Sequence, residues 1–131
     1  MRWRGVSLRF MIAMQVELLK AKLHRVEVTS CDLNYEGSMA IDSECLQMAG
    51  ILPYEKILIV NNNNGSRIET YAIPAQAGSR VFCLNGAAAR SGMAGDVVTI
   101  MVFAQFTPEE AVRHRPQVVL FSDHNRHIEK K

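Results

Sequence analysis

The chain has 131 residues, of which 48% are hydrophobic and 21% are charged. This length fits a single domain, and these fractions are ordinary for a globular protein and exclude a disordered chain. Lysine and arginine number 15 against 13 aspartates and glutamates, and three arginines lie in the first thirteen positions. The rest of the chain is close to neutral, which argues against binding nucleic acid or an acidic membrane through charge.

The segment 1–13 is basic and contains no acidic residue, as a targeting peptide would. Arg9 interrupts its apolar run and no small-residue cleavage site follows, which argues against a signal peptide. Met11 and Met14 are alternative starting residues. We expect 1–13 to be a disordered extension or a mis-assigned start, and 14–131 to be one domain. No stretch of sequence is apolar for long enough to cross a membrane.

The first predicted element is a strand over 19–28. Apolar residues alternate along it, but the phase slips between Leu23 and Val26, which indicates a bulge or bend. The residues that follow, 31–39, are polar and contain glycine, so we expect an irregular connection there.

A short helix follows this connection. Asp42 or Ser43 can cap its N-terminus, and Gly50 ends it. Two strand-like runs come next, at 56–60 and 66–73. The run between them is rich in asparagine and ends in glycine, which predicts a hairpin because both residues tolerate the left-handed backbone.

The second half is predicted to contain three further strands, at 80–84, 97–106 and 117–121. A helical turn separates the first two, and a short helix with Thr107 as cap and Pro108 at its first position separates the last two. The final residues are predicted to be a charged tail. No long helix lies between successive strands, so a small closed barrel is expected rather than a doubly wound parallel sheet.

Cysteine and histidine usage argues against a disulfide framework and against a zinc site. The three cysteines are odd in number and lack CxxC spacing, and unpaired thiols favour the cytoplasm. The four histidines form no HxH or HExxH pair, and we interpret His114, His124 and His127 as solvated surface residues. The sequence also lacks a nucleotide-binding glycine loop and a nucleophile elbow.

Several polar residues remain as candidates, and each group has an ordinary structural explanation. Lys22 and His24 share one face of the first strand, where a solvated edge accounts for them. Arg67 and Tyr71 share a face of a later strand, with Thr70 pointing to the other face, and a cross-strand charge pair accounts for that group. Gly-Ser and Asn-Gly dipeptides usually form turns.

In combination, however, the motifs are specific. Between residues 22 and 98 the chain carries, in order, the runs KLHRV, YEGS, AID, GSRIETYAI, NGAAAR and GDVV. Together they resemble the pyruvoyl-dependent aspartate α-decarboxylase family, over residues 14 to about 128. The resemblance implies a mainly β fold: a small six-stranded double-psi β-barrel with two or three short helices. It further implies a homotetramer with pockets between subunits.

The resemblance implies that the protein makes its own cofactor. The peptide bond between Gly37 and Ser38 would break without a protease, after the Ser38 hydroxyl attacks the Gly37 carbonyl, to give fragments 1–37 and 38–131. Thr70 matches the residue that the family assigns to stabilising the oxyanion. Ser38 would thereby become a pyruvoyl group, and no metal is implied.

The resemblance also implies an activity, the decarboxylation of L-aspartate to β-alanine and CO2 for pantothenate synthesis in the cytoplasm. The substrate would form a Schiff base with the pyruvoyl group, and Tyr71 matches the family's proton donor. Arg67 and Lys22 would bind the two carboxylates, in an assignment that is left open. Further residues match the family's substrate pocket: His24, Thr70, Asn85, Gly86, Ala87 and Ala88.

An alternative function from another class is a small β-barrel interaction module that does not process itself. The complete motif set favours the enzyme, and the near-neutral charge weakens a nucleic-acid-binding version of the module. Neither nucleic acid nor a membrane is expected as a partner. The sequence leaves open whether cleavage is spontaneous or needs a maturation factor, as in some relatives.

Overall fold

The structure is a computed structural model that describes residues 14–131, so the predicted extension 1–13 lies outside the described residues. Its described residues form two short α-helices, α1 (Ser43–Ala49) and α2 (Pro108–Arg113), and one 3-10 helix (Gly86–Arg90). They also form nine strands: β1 (Val16–Glu27), β2 (Ser30–Asp32), β3 (Ser38–Asp42), β4 (Lys56–Asn61), β5 (Arg67–Ala75), β6 (Phe82–Asn85), β7 (Val97–Phe106), β8 (Gln117–Ser122) and β9 (His127–Lys130).

The strands are hydrogen-bonded in the order β2-β6-β3-β5-β4-β7-β1-β8-β9. Neighbours are antiparallel except for three parallel pairs, β1–β8, β2–β6 and β3–β5. The two ends of this order approach each other, because Phe82 of β6 packs edge to face on Phe121 of β8 with ring centroids 5.5 Å apart. The Arg80 guanidinium also donates a hydrogen bond to the Asn125 carbonyl. The predicted mainly β, barrel-like fold is therefore confirmed.

The hydrophobic core is formed by alternate side chains of the longer strands. Leu23 of β1 lies opposite Ile100 of β7, which lies opposite Ile59 of β4, and all three are buried. Because side chains alternate between the two faces of a strand, the residues next to these point outward. We call the outward side of β1, β7, β4 and β5 the outer face.

Local sequence signals place several elements correctly. β7 has the predicted bounds, β4 and β5 form the predicted hairpin, and the register of β1 shifts between Leu23 and Val26, at the predicted slip. Asp42 caps α1 by accepting a hydrogen bond from the Glu44 backbone N–H at 2.9 Å, and Gly50 ends the helix at φ +69°. α2 begins with a reciprocal capping box.

Other predictions were wrong. The predicted connection 31–39 is shorter than expected, because its first residues belong to β2 and its last to β3, which leaves a loop at 33–37. The predicted tail contains β9, which pairs with β8. The strand predicted from Arg80 begins at Phe82, because Arg80 has a left-handed φ of +58°. The described strands thus number nine rather than six; six of them are five residues or longer.

The histidines behave differently from one another. The interpretation of His114 as solvated is wrong: it is half-buried, with Nε2 2.6 Å from the Leu19 carbonyl oxygen and its ring centroid 4.2 Å from that of Phe106. His124 and His127 are exposed, as predicted. Within residues 14–131, no helix is long and apolar enough to cross a membrane.

Candidate active site

Ser38, the first residue of β3, is almost fully buried and its hydroxyl is held by hydrogen bonds. Asn85 Nδ2 donates to Ser38 Oγ at 3.0 Å, and Ser38 Oγ donates to the Glu36 carbonyl at 3.2 Å. Asn85 Oδ1 in turn accepts from the Cys83 thiol at 3.2 Å. This chain of donors points an amide N–H at Ser38 Oγ, where it stabilises negative charge as the hydroxyl loses its proton.

The strand pairing explains why Ser38 and Asn85 meet. β3 and β6 are antiparallel, with Ser38 opposite Asn85 and Met39 opposite Leu84. Met39 and Leu84 are buried in the core and anchor both strands. The loop before Ser38, residues 33–37, is exposed. The nucleophilic hydroxyl is therefore fixed by the core, whereas the peptide bond before it lies at the surface.

β5 brings Tyr71 alongside this serine. β3 and β5 are parallel, with Met39 opposite Ala72, so the same register continued by one residue places Tyr71 level with Ser38. Tyr71 is half-buried, and its ring centroid is 6.5 Å from that of Tyr54. Thr70 pairs with the buried Ile57 and so faces the other side of the strand. This alternation agrees with the prediction that Thr70 and Tyr71 point opposite ways.

The first turn after β6 supplies the remaining small residues of the predicted pocket. Gly86, Ala87 and Ala88 begin the 3-10 helix directly after Asn85. Gly86 and Ala88 are buried, whereas Ala87 is exposed. We call Gly37, Ser38, Asn85 and Gly86 the cleavage cluster, because they surround the bond that is predicted to break.

Lys22 and Arg67 lie on the outer face. Lys22 is opposite Met101, which is opposite Leu58, which is opposite Glu69, so one row crosses four strands. Arg67 is exposed, two residues before Glu69 on β5. A groove of about 270 Å³ on this face is lined in part by Leu58, Glu69 and Met101. Lys56, also in the groove, is paired with Glu69 at 2.8 Å, so among residues 14–131 the groove lining offers no free cation for a dicarboxylate.

Within one chain these two cations are remote from Ser38. Arg67 is four residues from Tyr71, which is about 13 Å along a strand. Lys22 on β1 is three strand spacings from β5, or about 14 Å. The structure therefore brings Ser38, Asn85 and Tyr71 together and leaves Lys22 and Arg67 apart from them.

His24 lies at the far side of the outer face, on β1 opposite Leu120 of β8. In the described part of the chain its Nδ1 is buried without a hydrogen-bond partner. Burial lowers the pKa of His24, and the positive charges of Lys22, Arg25 and Lys131 lower it further. The ring is therefore neutral at pH 7, and the surrounding cations favour an anionic ligand beside it.

Two of the three thiols, those of Cys45 and Cys31, are poor nucleophiles at neutral pH. Burial raises the pKa of Cys45 to about 12 and also raises the pKa of Cys31. Both are therefore protonated, unreactive thiols at neutral pH. Within residues 14–131, three or more metal-ligating side chains do not come together anywhere. Ser38 is thus a buried, hydrogen-bonded hydroxyl that directly follows an exposed glycine.

The fold and the site together define a small, mainly β, barrel-like protein with a serine-centred polar site. The model of the aspartate decarboxylase family matches residues 14–128, so the chain belongs to this family, as its motifs predict. The chain is 54% identical over 112 residues to the aspartate 1-decarboxylase of Salinibacter ruber, which covers 86% of this chain and 77% of that protein.

Two further relatives give the same result. Identity to the aspartate 1-decarboxylase of Ruminiclostridium cellulolyticum is 52% over 113 residues, or 86% of this chain and 88% of the relative. Identity to that of Clostridium acetobutylicum is 54% over 112 residues, with the same two shares. The family match spans all of the candidate site residues, from Lys22 to Ala88.

Proposed function

We propose that this protein removes the 1-carboxylate of L-aspartate, giving β-alanine and CO2 for pantothenate synthesis. Membership of the aspartate decarboxylase family supports the reaction. The observation that carries the mechanism is the buried Ser38 hydroxyl held by Asn85 directly after the exposed Gly37. The three unpaired thiols support a cytoplasmic location.

The first step is self-cleavage of the Gly37–Ser38 bond. Ser38 Oγ attacks the Gly37 carbonyl carbon, the C–N bond breaks, and the Gly37 acyl group is left as an ester on Oγ. The family resemblance makes Thr70 the proposed donor to the oxyanion that forms on the way, although within one chain its side chain faces the other side of β5 from Tyr71. Loss of the Ser38 α-proton then expels the Gly37 carboxylate, and water replaces the nitrogen of the resulting dehydroalanine, releasing ammonia. Residue 38 ends as a pyruvoyl group.

The pyruvoyl group supplies a carbonyl that takes up the electron pair released when CO2 leaves. The chain's own residues bind and orient the substrate around it. The Arg67 guanidinium, a planar fork, and the Lys22 ammonium each take one carboxylate. Tyr71 Oη donates the proton that replaces CO2 on carbon, since a positioned phenol can act as a general acid.

The other pocket residues limit space and provide polar contacts. Asn85 stays beside residue 38 through the β3–β6 pairing. Backbone N–H groups of Gly86, Ala87 and Ala88 face the substrate with little side-chain bulk, and His24 lies in a cationic surrounding that favours a carboxylate. No metal takes part in the proposal.

We infer that a second copy of the chain completes the site, as in a homotetramer with pockets between subunits. The separation of the Lys22 and Arg67 backbones from Ser38 supports this inference, because a second copy of the chain could bring these cations closer to residue 38. A partner chain that presents its outer face to Ser38 would bring the two sets of residues together.

Denaturing mass spectrometry of the purified protein tests the proposal. We expect fragments 1–37 and 38–131, the larger with a keto terminus that reacts with hydroxylamine, together with β-alanine and CO2 from aspartate. Incubating a freshly synthesised chain without other proteins tests whether a maturation factor is needed. A single uncut chain that releases no CO2 would instead indicate the interaction module.

A further inference from the structure

Gly86 touches the segment that precedes the cleaved bond. It adopts a left-handed φ of +63°, and a Cβ built on it would lie 2.8 Å from Gly37 N, 2.9 Å from Gly37 Cα and 2.9 Å from the Tyr35 carbonyl oxygen. All three are backbone atoms, which cannot turn aside as a side chain can. Any side chain at position 86 would therefore push on the loop from Tyr35 to Gly37.

Gly37 itself is not constrained in this way. A Cβ on Gly37 would meet nothing within 4 Å. Among the glycines of the described residues, Gly86 is the one whose added Cβ would come within 3.0 Å of backbone. The position at which a side chain would disturb the segment before the cleaved bond is therefore Gly86, at the start of the 3-10 helix, and not Gly37.

We propose that Gly86 is a positioning residue for self-cleavage. Because it has no side chain, the segment Tyr35–Gly37 packs directly against its backbone. This inference rests on the proposed function. Gly86 directly follows Asn85, whose amide holds Ser38 Oγ. One short piece of chain thus fixes both the nucleophile, through the Asn85 side chain, and the carbonyl that is attacked, through the Gly86 backbone.

The consequence is a sensitivity of cleavage to small displacements. Real Cβ atoms do not approach other atoms closer than 3.0 Å, so a side chain at Gly86 must shift the loop or the helix. Misplacing a reacting group by an ångström costs on the order of 100-fold in rate, and a shift of a few tenths costs less. We expect a loss of roughly tenfold or more in cleavage rate.

The experiment compares Gly86→Ala with Gly65→Ala in full-length chains made by cell-free synthesis. Gly65, in the β4–β5 turn, has φ +76°, and a Cβ there meets nothing within 4 Å, so this control carries the same backbone penalty without the contact. Appearance of fragment 38–131 is followed over time by intact mass. Cleavage of Gly86→Ala at the rate of Gly65→Ala would overturn the inference.

A second pair of variants keeps the test valid if Gly86→Ala fails to fold. Gly86→Asn and Gly65→Asn have the same design, and Asn tolerates the left-handed backbone better than Ala. Slow cleavage of Gly86→Asn beside normal cleavage of Gly65→Asn supports the inference, and equal rates contradict it. Thermal unfolding of each variant in a Ser38→Ala background, which keeps the chain in one piece, should differ little between Gly86→Asn and Gly65→Asn.

Hydroxylamine separates a slow acyl shift from a slow elimination, because it cuts the ester that follows the acyl shift. In the Gly86 variants cleavage should stay slow with hydroxylamine, since the slowed step precedes the ester. Acceleration to the rate of the Gly65 variants would contradict the inference. If wild type and the Gly65 variants were uncut both in cell-free synthesis and after expression in living cells, the proposed function itself would fail, which is a different outcome from equal cleavage.

Discussion

The cleavage cluster and the outer face differ in how the chain holds their functional residues. Ser38 and Asn85 are buried, paired in register and hydrogen-bonded to each other. Lys22 is half-buried and lies on β1, four strands from β3 in the sheet order. Arg67 is exposed and lies on β5, next to β3, but four residues before Tyr71. One region is thus complete within a single chain, whereas the other presents charges without a nearby reacting group.

This difference follows from the cost of burial. A buried hydroxyl or carboxamide must be hydrogen-bonded, and the pairing of β3 with β6 supplies those partners locally. A buried, unpaired cation would cost far more, so Arg67 remains solvated until an anion arrives. In the proposed function, cleavage would therefore depend on rigid geometry within one chain, whereas substrate recognition would depend on charges that a ligand and a second copy of the chain complete.

The largest expected effect comes from removing the nucleophile. Ser38→Ala leaves no hydroxyl to attack the Gly37 carbonyl, so we expect no fragment 38–131 and no β-alanine. Intact mass and a CO2 assay measure the two outcomes. A cleaved Ser38→Ala protein would refute the acyl shift.

Tyr71→Phe should separate cleavage from turnover. The variant keeps the ring but loses the phenolic proton, and positioned proton transfer contributes about 10²- to 10⁴-fold. We expect normal fragments and a kcat lower by about that factor. Tyr54→Phe, which alters the exposed neighbouring ring, is the control. A kcat near that of wild type would show that Tyr71 is not the proton donor.

Arg67→Gln should weaken aspartate binding and leave cleavage intact. A hydrogen bond to a charged group contributes about 1.5–3 kcal/mol, so we expect kcat/KM to fall about 10- to 100-fold. Arg113→Gln, at the exposed end of α2, is the control and should change neither quantity. Retention of wild-type kcat/KM would remove Arg67 from the site.

Mixed oligomers test whether Ser38 and Arg67 of one site come from different chains. Co-expression of Ser38→Ala chains with Arg67→Gln chains should restore kcat/KM that neither variant has alone, because some pockets would combine an intact residue 38 with an intact Arg67 from another chain. The two separately purified variants, mixed only in the assay, are the control. Absence of recovery in co-expressed oligomers would place Arg67 and Ser38 of one site in the same chain.

The smallest expected effect is a pH dependence that comes from His24. The pKa of His24 is lowered in the folded chain, so the unfolded chain binds more protons as the solution is acidified. The contribution of His24 to the free energy of unfolding is therefore complete above about pH 6.5 and is lost as the pH falls through the folded pKa. In a Ser38→Ala background, His24→Gln should lose less unfolding free energy on acidification than its parent. His127→Gln, at an exposed site, is the control. If His24→Gln and its parent lost equal unfolding free energy on acidification, His24 would not be the source of the pH dependence.

Local chemistry in the sequence predicted the elements whose signals lie within a few residues. The cap at Asp42, the left-handed Gly50, the bulge after Leu23 and the capping box of α2 all follow from neighbouring residues. β2 and β9 were missed because they are three and four residues long and largely exposed, so neither shows alternation. Their strand conformation depends on β6 and β8, which are distant in sequence.

The sequence by itself determined the family, and its contiguous motifs carry the Gly37–Ser38 pair that we propose to be cleaved and the residue types of the proposed site. Only the tertiary structure decided that Asn85 holds Ser38 Oγ and that Gly86 packs against Tyr35–Gly37. It also decided that Lys22 and Arg67 lie far from that serine. The physical reason is that strand register sets distances between residues dozens of positions apart, and no local pattern in the chain encodes that register.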